Sequence, residues 1–138
     1  MQSVIDSAPT RILFLCPHGA AKSVAAAAMV HEKASRKGLN VVVSNAGTDP
    51  DPGLNPIVVA YLTESGMPVP EGPRHVTGED TANAHLVVNI GCDHTDIPVF
   101  GPMIEWNIPD FSDNPDAAFA ALQVESDSLV ASLVSEET

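Results

Sequence analysis

Apolar and polar positions divide the chain into short unbroken apolar runs and longer stretches with helical spacing. Arg11–Cys16 (RILFLC) is nearly continuous in apolar character, as expected of a strand covered on both faces. Ala-rich Lys22–Lys37 follows with helical character and is closed by Gly38, a residue suited to the position after a helix. Its Lys33, Arg36 and Lys37 complement the negative end of the helix dipole and read as surface. Val41–Ala46 (VVVSNA) reads as a second strand. Asn55-Pro56 supplies an N-cap and a proline at the first helical position, opening a helix that runs to about Gly66. Thr77-Gly78-Glu79-Asp80 starts a short helical turn, and His85–Gly91 (HLVVNIG) is a third buried strand. Irregular chain follows from Cys92 to Asn114, with a short strand around Val99–Glu105. Asn114-Pro115 then caps a long last helix whose apolar face is Phe119, Leu122, Leu129, Val130, Leu133 and Val134.

Strands that alternate with helices predict an α/β fold: a three-layer sandwich with a central, mostly parallel four-stranded sheet and helices on both faces. No repeat or linker divides residues 1–138, so a single domain is expected, with 1–10 as a flexible N-terminal segment. In a parallel sheet every strand finishes at one edge, and ligands bind outside that edge. Cys16 ends the first strand, Cys92 follows the HLVVNIG strand, and the loop carrying Asp110 follows Cys92, so all three are expected there.

Composition adjusts this picture in two ways. Hydrophobic residues make up 44% of the chain but aromatics only 4%, so the core must be built largely from Ala, Val and Leu. The formal net charge is −12, and all of the excess lies beyond residue 74, where there are acids but no Lys or Arg. Such a surface repels phosphate backbones and anionic lipid, which argues against nucleic-acid or membrane-surface partners. Screening sets in over about 8 Å at physiological salt, so a small oxyanion held by local groups is not excluded. The longest clean apolar run, Val24–Val30, is too short to span a bilayer, and MQSVIDSAPTR has neither part of a signal peptide. With only Cys16 and Cys92 available, a disulfide scaffold is not expected, and the reading is a cytoplasmic protein.

The chemistry concentrates in Arg11–Met29. A buried strand ends at Cys16, Pro17-His18-Gly19-Ala20-Ala21 forms a loop, and Lys22-Ser23 opens a helix. Backbone N–H groups at a helix start point into such a loop and favour an anion there. The same field favours thiolate over thiol, and Lys22 adds a cation. A thiolate nucleophile beside an oxyanion cradle is one outcome; a small cysteine packed at a strand end is the other. The nucleotide-binding pattern G-x-x-x-x-G-K-[ST] is not met, because Cys16 and Ala21 stand where both glycines belong.

This segment resembles the active-site loop of the low-molecular-weight protein tyrosine phosphatases and of the arsenate reductases that share their fold, whose pattern is a strand, C-x5-R-[ST] and a helix. Ser44-Asn45-Ala46-Gly47-Thr48 is similar to the family's S-A-G-T segment, with Asn45 as an insertion. Asn55-Pro56 and the helix ending in Glu64-Ser65-Gly66 resemble the next element, while VVNIGC (87–92) and WNIPD (106–110) resemble the arsenate-reductase branch. The resemblance implies that Cys16 is the nucleophile, that Ser23 donates to its thiolate and that Asp110 is the general acid. It also implies that Pro17, His18, Gly19, Ala20, Ala21 and Lys22 cradle the substrate oxyanion, and that Cys92 is the disulfide partner.

Four departures stand beside the resemblance. Lys22 replaces the arginine, exchanging a planar fork for a point charge. Gly19 replaces an asparagine that braces the loop, Phe111 replaces a proline after the acid, and no further cysteine follows Cys92. His94 lies near Cys92, but the spacing is wrong for a zinc site. His31, His75 and His85 read as surface or satisfied core residues, and Trp106 as packing under the acid loop.

Three functions are compatible with these residues. One is an arsenate-reductase-like enzyme without a resident cofactor, served by a low-molecular-weight thiol or a thioredoxin-type reductant. Another is a phosphatase that hydrolyses phosphate monoesters through a cysteinyl-phosphate. The last binds an oxyanion or a partner without turnover, with Lys22 and Gly19 as its motive.

Overall fold

The computed structural model describes residues 8–97 and 101–137. In chain order its elements are β1 (Thr10–Cys16), α1 (Lys22–Arg36), β2 (Val41–Gly47), α2 (Pro56–Glu64), α3 (Gly78–Asn83), β3 (Leu86–Asn89), β4 (Met103–Glu105) and α4 (Pro115–Glu137), with a 3-10 turn at His94–Asp96. The strands lie in the order β2-β1-β3-β4, and each adjacent pair is parallel. This is the α/β sandwich expected. Strand β1 begins at Thr10, the last residue assigned to the flexible segment, and residues 1–7 fall outside the described residues. The strand expected around Val99–Glu105 is only Met103–Glu105; residues 98–100 are likewise outside.

Asn45 makes no bulge in β2. It pairs with Phe14 in an unbroken register that runs from Thr10↔Val41 to Cys16↔Gly47. The local caps form as their residues dictate: the Asn55 side chain accepts from Ile57 N–H at 2.8 Å, and that of Asn114 from Ala117 N–H at 3.1 Å. Thr77 and Asp80 exchange reciprocal bonds as a capping box.

The two faces of the sheet are covered unequally. Ile12, Phe14 and Cys16 point into the larger core with Val24, Met29, Val58, Leu62, Leu122 and Val130, so α1, α2 and α4 all contribute to one layer. Leu13 and Leu15 point the other way, into a smaller cluster with Ala46, Val76, Val87, Cys92 and Ile97.

Helix α4 has the length and composition to cross a membrane, its most apolar 18-residue stretch within Pro115–Ser135 having a mean hydropathy of 1.3. It contains no long uninterrupted apolar run, because Gln123, Glu125 and Asp127 break the pattern. Its Ala118, Leu122, Leu129 and Val130 are buried in the core that α1 shares, while Asp116 and Asp127 are exposed, so it folds here as an amphipathic core helix.

Candidate active site at the end of the first strand

Cys16 is buried at the C-terminal end of β1, and the loop Pro17–Ala21 carries the chain directly into α1. The N-cap of that helix is Ala21, which has no side chain able to accept its first N–H groups. The sulfur of Cys16 takes that part: Ser23 N–H donates to Sγ at 3.3 Å. The thiol in turn donates to Ser23 Oγ at 3.1 Å, a bond that reverses when the sulfur ionises, because a hydroxyl both donates and accepts. Ser23 itself is fully buried, so its hydroxyl is committed to this sulfur.

Backbone contacts brace the loop. Gly19 has φ +60°, and its N–H bonds to Cys16 O at 3.2 Å. A Cβ on Gly47 would lie 2.6 Å from Gly19 N and 2.8 Å from Pro17 O, so the end of β2 and the loop touch main chain to main chain. Asp49 N–H donates to Pro17 O, Asp51 N–H to His18 O and Asn55 N–H to Ala20 O. The support expected of an asparagine at position 19 thus comes from the segment after β2.

A cleft of about 440 Å³ opens above Cys16, and Pro17, His18, Ala20, Ala21 and Lys22 line it, together with Asp51, Asn55 and Asp110. Gly19 is buried and packs on Gly47, and it is not among the residues that line the cleft. Lys22 Nζ reaches Asp110 Oδ1 at 2.8 Å. Lys22's hydrogen bond and then its charge hold the Asp110 carboxyl below the usual carboxylate range. His18 pairs with Asp51 at 3.1 Å on the rim. Phe111, in place of the family's proline, is buried edge-on against Phe119 at 4.8 Å and so anchors the acid loop in the core.

Cys92 lies at the same sheet edge but belongs to the smaller core and does not line the cleft. Asn89 clamps its backbone at both ends, accepting from Cys92 N–H at 2.8 Å and donating to Cys92 O at 3.0 Å. Thr48 Oγ1 donates to its sulfur at 3.7 Å. Burial pushes the Cys92 thiol up, and the charge of Cys16 adds to that rise. Both thiols are free.

The model of the low molecular weight phosphotyrosine protein phosphatase family matches residues 11–100. The chain belongs to this family. Among solved structures, it is similar to a thioredoxin-dependent arsenate reductase from Corynebacterium glutamicum at 21% identity and a TM-score of 0.78, covering 96% of this chain. It spans only 65% of that longer protein. An arsenate reductase from Archaeoglobus fulgidus matches at 25% identity and a TM-score of 0.68, over 90% of this chain and 98% of its own. A low molecular weight protein tyrosine phosphatase from Bacillus subtilis matches at 21% and 0.70, over 91% and 95%.

Against the family pattern, the residues that sequence reasoning missed are those that hold the cysteines from outside the loop. Asp51 sits on the irregular chain after β2, where no local signal marks it, whereas Thr48 closes the S-A-G-T-like segment, which by itself assigns it no contact with Cys92. Asn89 had a signal: it is the one polar residue inside the apolar run LVVNIG, and it is fully buried. The remaining histidines are surface residues. His85 accepts from Arg11 N–H, His75 bonds the Val76 carbonyl, His94 pairs with Glu105, and His31 is exposed. Trp106 packs on Phe14 with ring centres 5.7 Å apart.

Proposed function

We propose that the protein is a cytoplasmic thiol enzyme of the arsenate-reductase type, with Cys16 as nucleophile and Cys92 as disulfide partner. The observation that carries this reading is Cys16 Sγ seated at the start of α1, where Ser23 turns both its N–H and its hydroxyl toward it. The similar structures that are arsenate reductases support the choice of substrate.

In this reading a tetrahedral oxyanion rests on the N–H groups at the start of α1, with the charge of Lys22 beside it. The Cys16 thiolate attacks arsenic, an S–As bond forms, and one oxygen departs as water with a proton from Asp110. The Cys92 thiolate then attacks Cys16 Sγ. The S–S bond forms as S–As breaks, and the electron pair of that bond stays on arsenic. Two thiols are oxidised to one disulfide, and arsenate is reduced to arsenite. No further cysteine is present to pass the disulfide on, so an external thiol or a thioredoxin-type protein reduces it directly. No cofactor enters the scheme.

Reductant consumption that depends on arsenate tests the reading. It is expected in the wild-type protein and falls to background in Cys16→Ser; equal rates in the two would remove the proposal. Hydrolysis of an aryl phosphate that survives Cys92→Ala and is lost in Asp110→Asn would replace it with a phosphatase.

A further inference from the structure

Among the described residues Lys22 is the only lysine or arginine that lines the cleft, and it is already engaged. Its Nζ lies 2.8 Å from Asp110, with the lysine side chain mostly covered and the carboxylate largely exposed. The cation is therefore held over the loop while its partner sits at the solvent edge. A tetrahedral anion on the start of α1 needs that same charge, and exposed ion pairs are weak competitors for it. A dianion brought beside an ionised Asp110 would also face a like charge across the mouth of the cleft.

We propose that oxyanion binding arms Asp110: the anion takes over Lys22, and the carboxyl left behind takes up a proton from solvent and turns it toward the bound oxygens. The inference rests on the reading of the Cys16 loop as an oxyanion site, and it makes Lys22 the positioning residue that sets the state of the acid. While the ion pair stands, Asp110 is held ionised by Lys22 and has no proton to give. Once the pair is replaced by a neighbouring dianion, both influences reverse, and the carboxyl rises.

Among the described residues, the other titratable groups that line the cleft with Asp110 are Cys16 and His18 on the Cys16 loop and Asp51 after β2, which is paired with His18; Asp113 follows in the turn of Asp110 itself. His18 lowers Asp110 slightly, in the same sense as Lys22. Anion binding then takes up a proton at pH values between the lowered position of Asp110 with Lys22 on it and its raised position with the anion bound. By linkage, affinity for the anion rises as pH falls through that window.

Sulfate is the probe, because it is tetrahedral and stays a dianion through the weakly acidic range. The titration of the Asp110 carboxyl is followed by carbon-detected NMR with and without saturating sulfate, while the amide signals of residues 20–23 report where the ion sits. The expected result is an upward shift of the Asp110 midpoint by about one unit or more, the size that gaining or losing a neighbouring charge produces. In Lys22→Met the midpoint starts higher and sulfate moves it less. In Asp110→Asn the affinity for sulfate loses the part of its pH dependence that remains after His18→Asn. Sulfate that perturbs residues 20–23 and leaves the Asp110 midpoint unchanged overturns the arming and leaves the oxyanion site standing. Sulfate that leaves residues 20–23 unperturbed overturns the oxyanion site, and the arming falls with it.

Discussion

Cys16 and Cys92 lie at one edge of the same parallel sheet, yet their surroundings give them opposite characters. Cys16 serves as the cap of a helix that has none of its own, with the N–H and hydroxyl of Ser23 on its sulfur. Cys92 sits in the smaller core on the other face, with one long bond from Thr48, and burial keeps its thiol protonated to higher pH. The sheet edge sets where a cysteine lies, and the first turn of the following helix sets what it can do. In the proposed reaction Cys16 attacks first and Cys92 second.

The comparison breaks first at Gly47. A Cβ there would lie within 3 Å of main-chain atoms of Gly19 and Pro17, which no flexible side chain can relieve. Gly47→Ala is expected to cost about 3 kcal/mol, the upper end for overpacking, and to slow alkylation of Cys16. Gly53→Ala, which meets nothing within 4 Å, is expected to stay within about 0.5 kcal/mol in the same denaturation experiment.

Ser23→Ala removes the hydroxyl alone. A hydrogen bond to a charged group is worth about 1.5–3 kcal/mol, so thiolate chemistry at Cys16 should slow by about 10- to 100-fold at neutral pH, with Cys92 unchanged. Mass-spectrometric alkylation rates of the two cysteines separate these effects.

A smaller effect sharpens the Cys92 side. Its thiol is raised, so the neutral form is favoured by folding, and the stability this contributes is lost as pH rises through the folded midpoint. Alkylation of Cys92 should accelerate only at more alkaline pH than an ordinary thiol requires. Thr48→Val, which deletes a donor to the sulfur, should move that profile slightly higher.

Outside the cleft, at the start of α3, Thr77→Ala should cost about 1 kcal/mol by removing a cap, with arsenate-dependent turnover unchanged. Burial raises the Asp80 carboxyl, but the Arg74 pair and the bonds with Thr77 outweigh it and leave the carboxyl lowered. Its contribution to stability is present above the unfolded carboxylate midpoint and is lost as pH falls through the lowered one, so the Thr77 penalty should shrink in acid.

The fold was legible because its signals are local. RILFLC, HLVVNIG and the caps at Asn55, Thr77 and Asn114 each specify an element within a few residues. The cysteine loop was legible for the same reason, since strand, cysteine and helix start are contiguous. Contacts between distant segments were not. Nothing around Lys22 announces Asp110, and nothing around Cys92 says which face of the sheet it joins, because Gly91 at φ +92° breaks the alternation that would tell. Gly19 lacks the side chain that would brace the loop, and the glycine that ends β2, distant in sequence, is pressed against it.

The central claim is that two thiols in different surroundings act in sequence on one oxyanion. Reduced protein given arsenate without any reductant tests it in a single turnover, with arsenite quantified and the thiols mapped by alkylation and mass spectrometry. The account predicts one arsenite per chain and one disulfide joining Cys16 to Cys92, with neither product formed by Cys16→Ser. Wild-type protein in which both cysteines remain free and alkylatable after arsenate would contradict it.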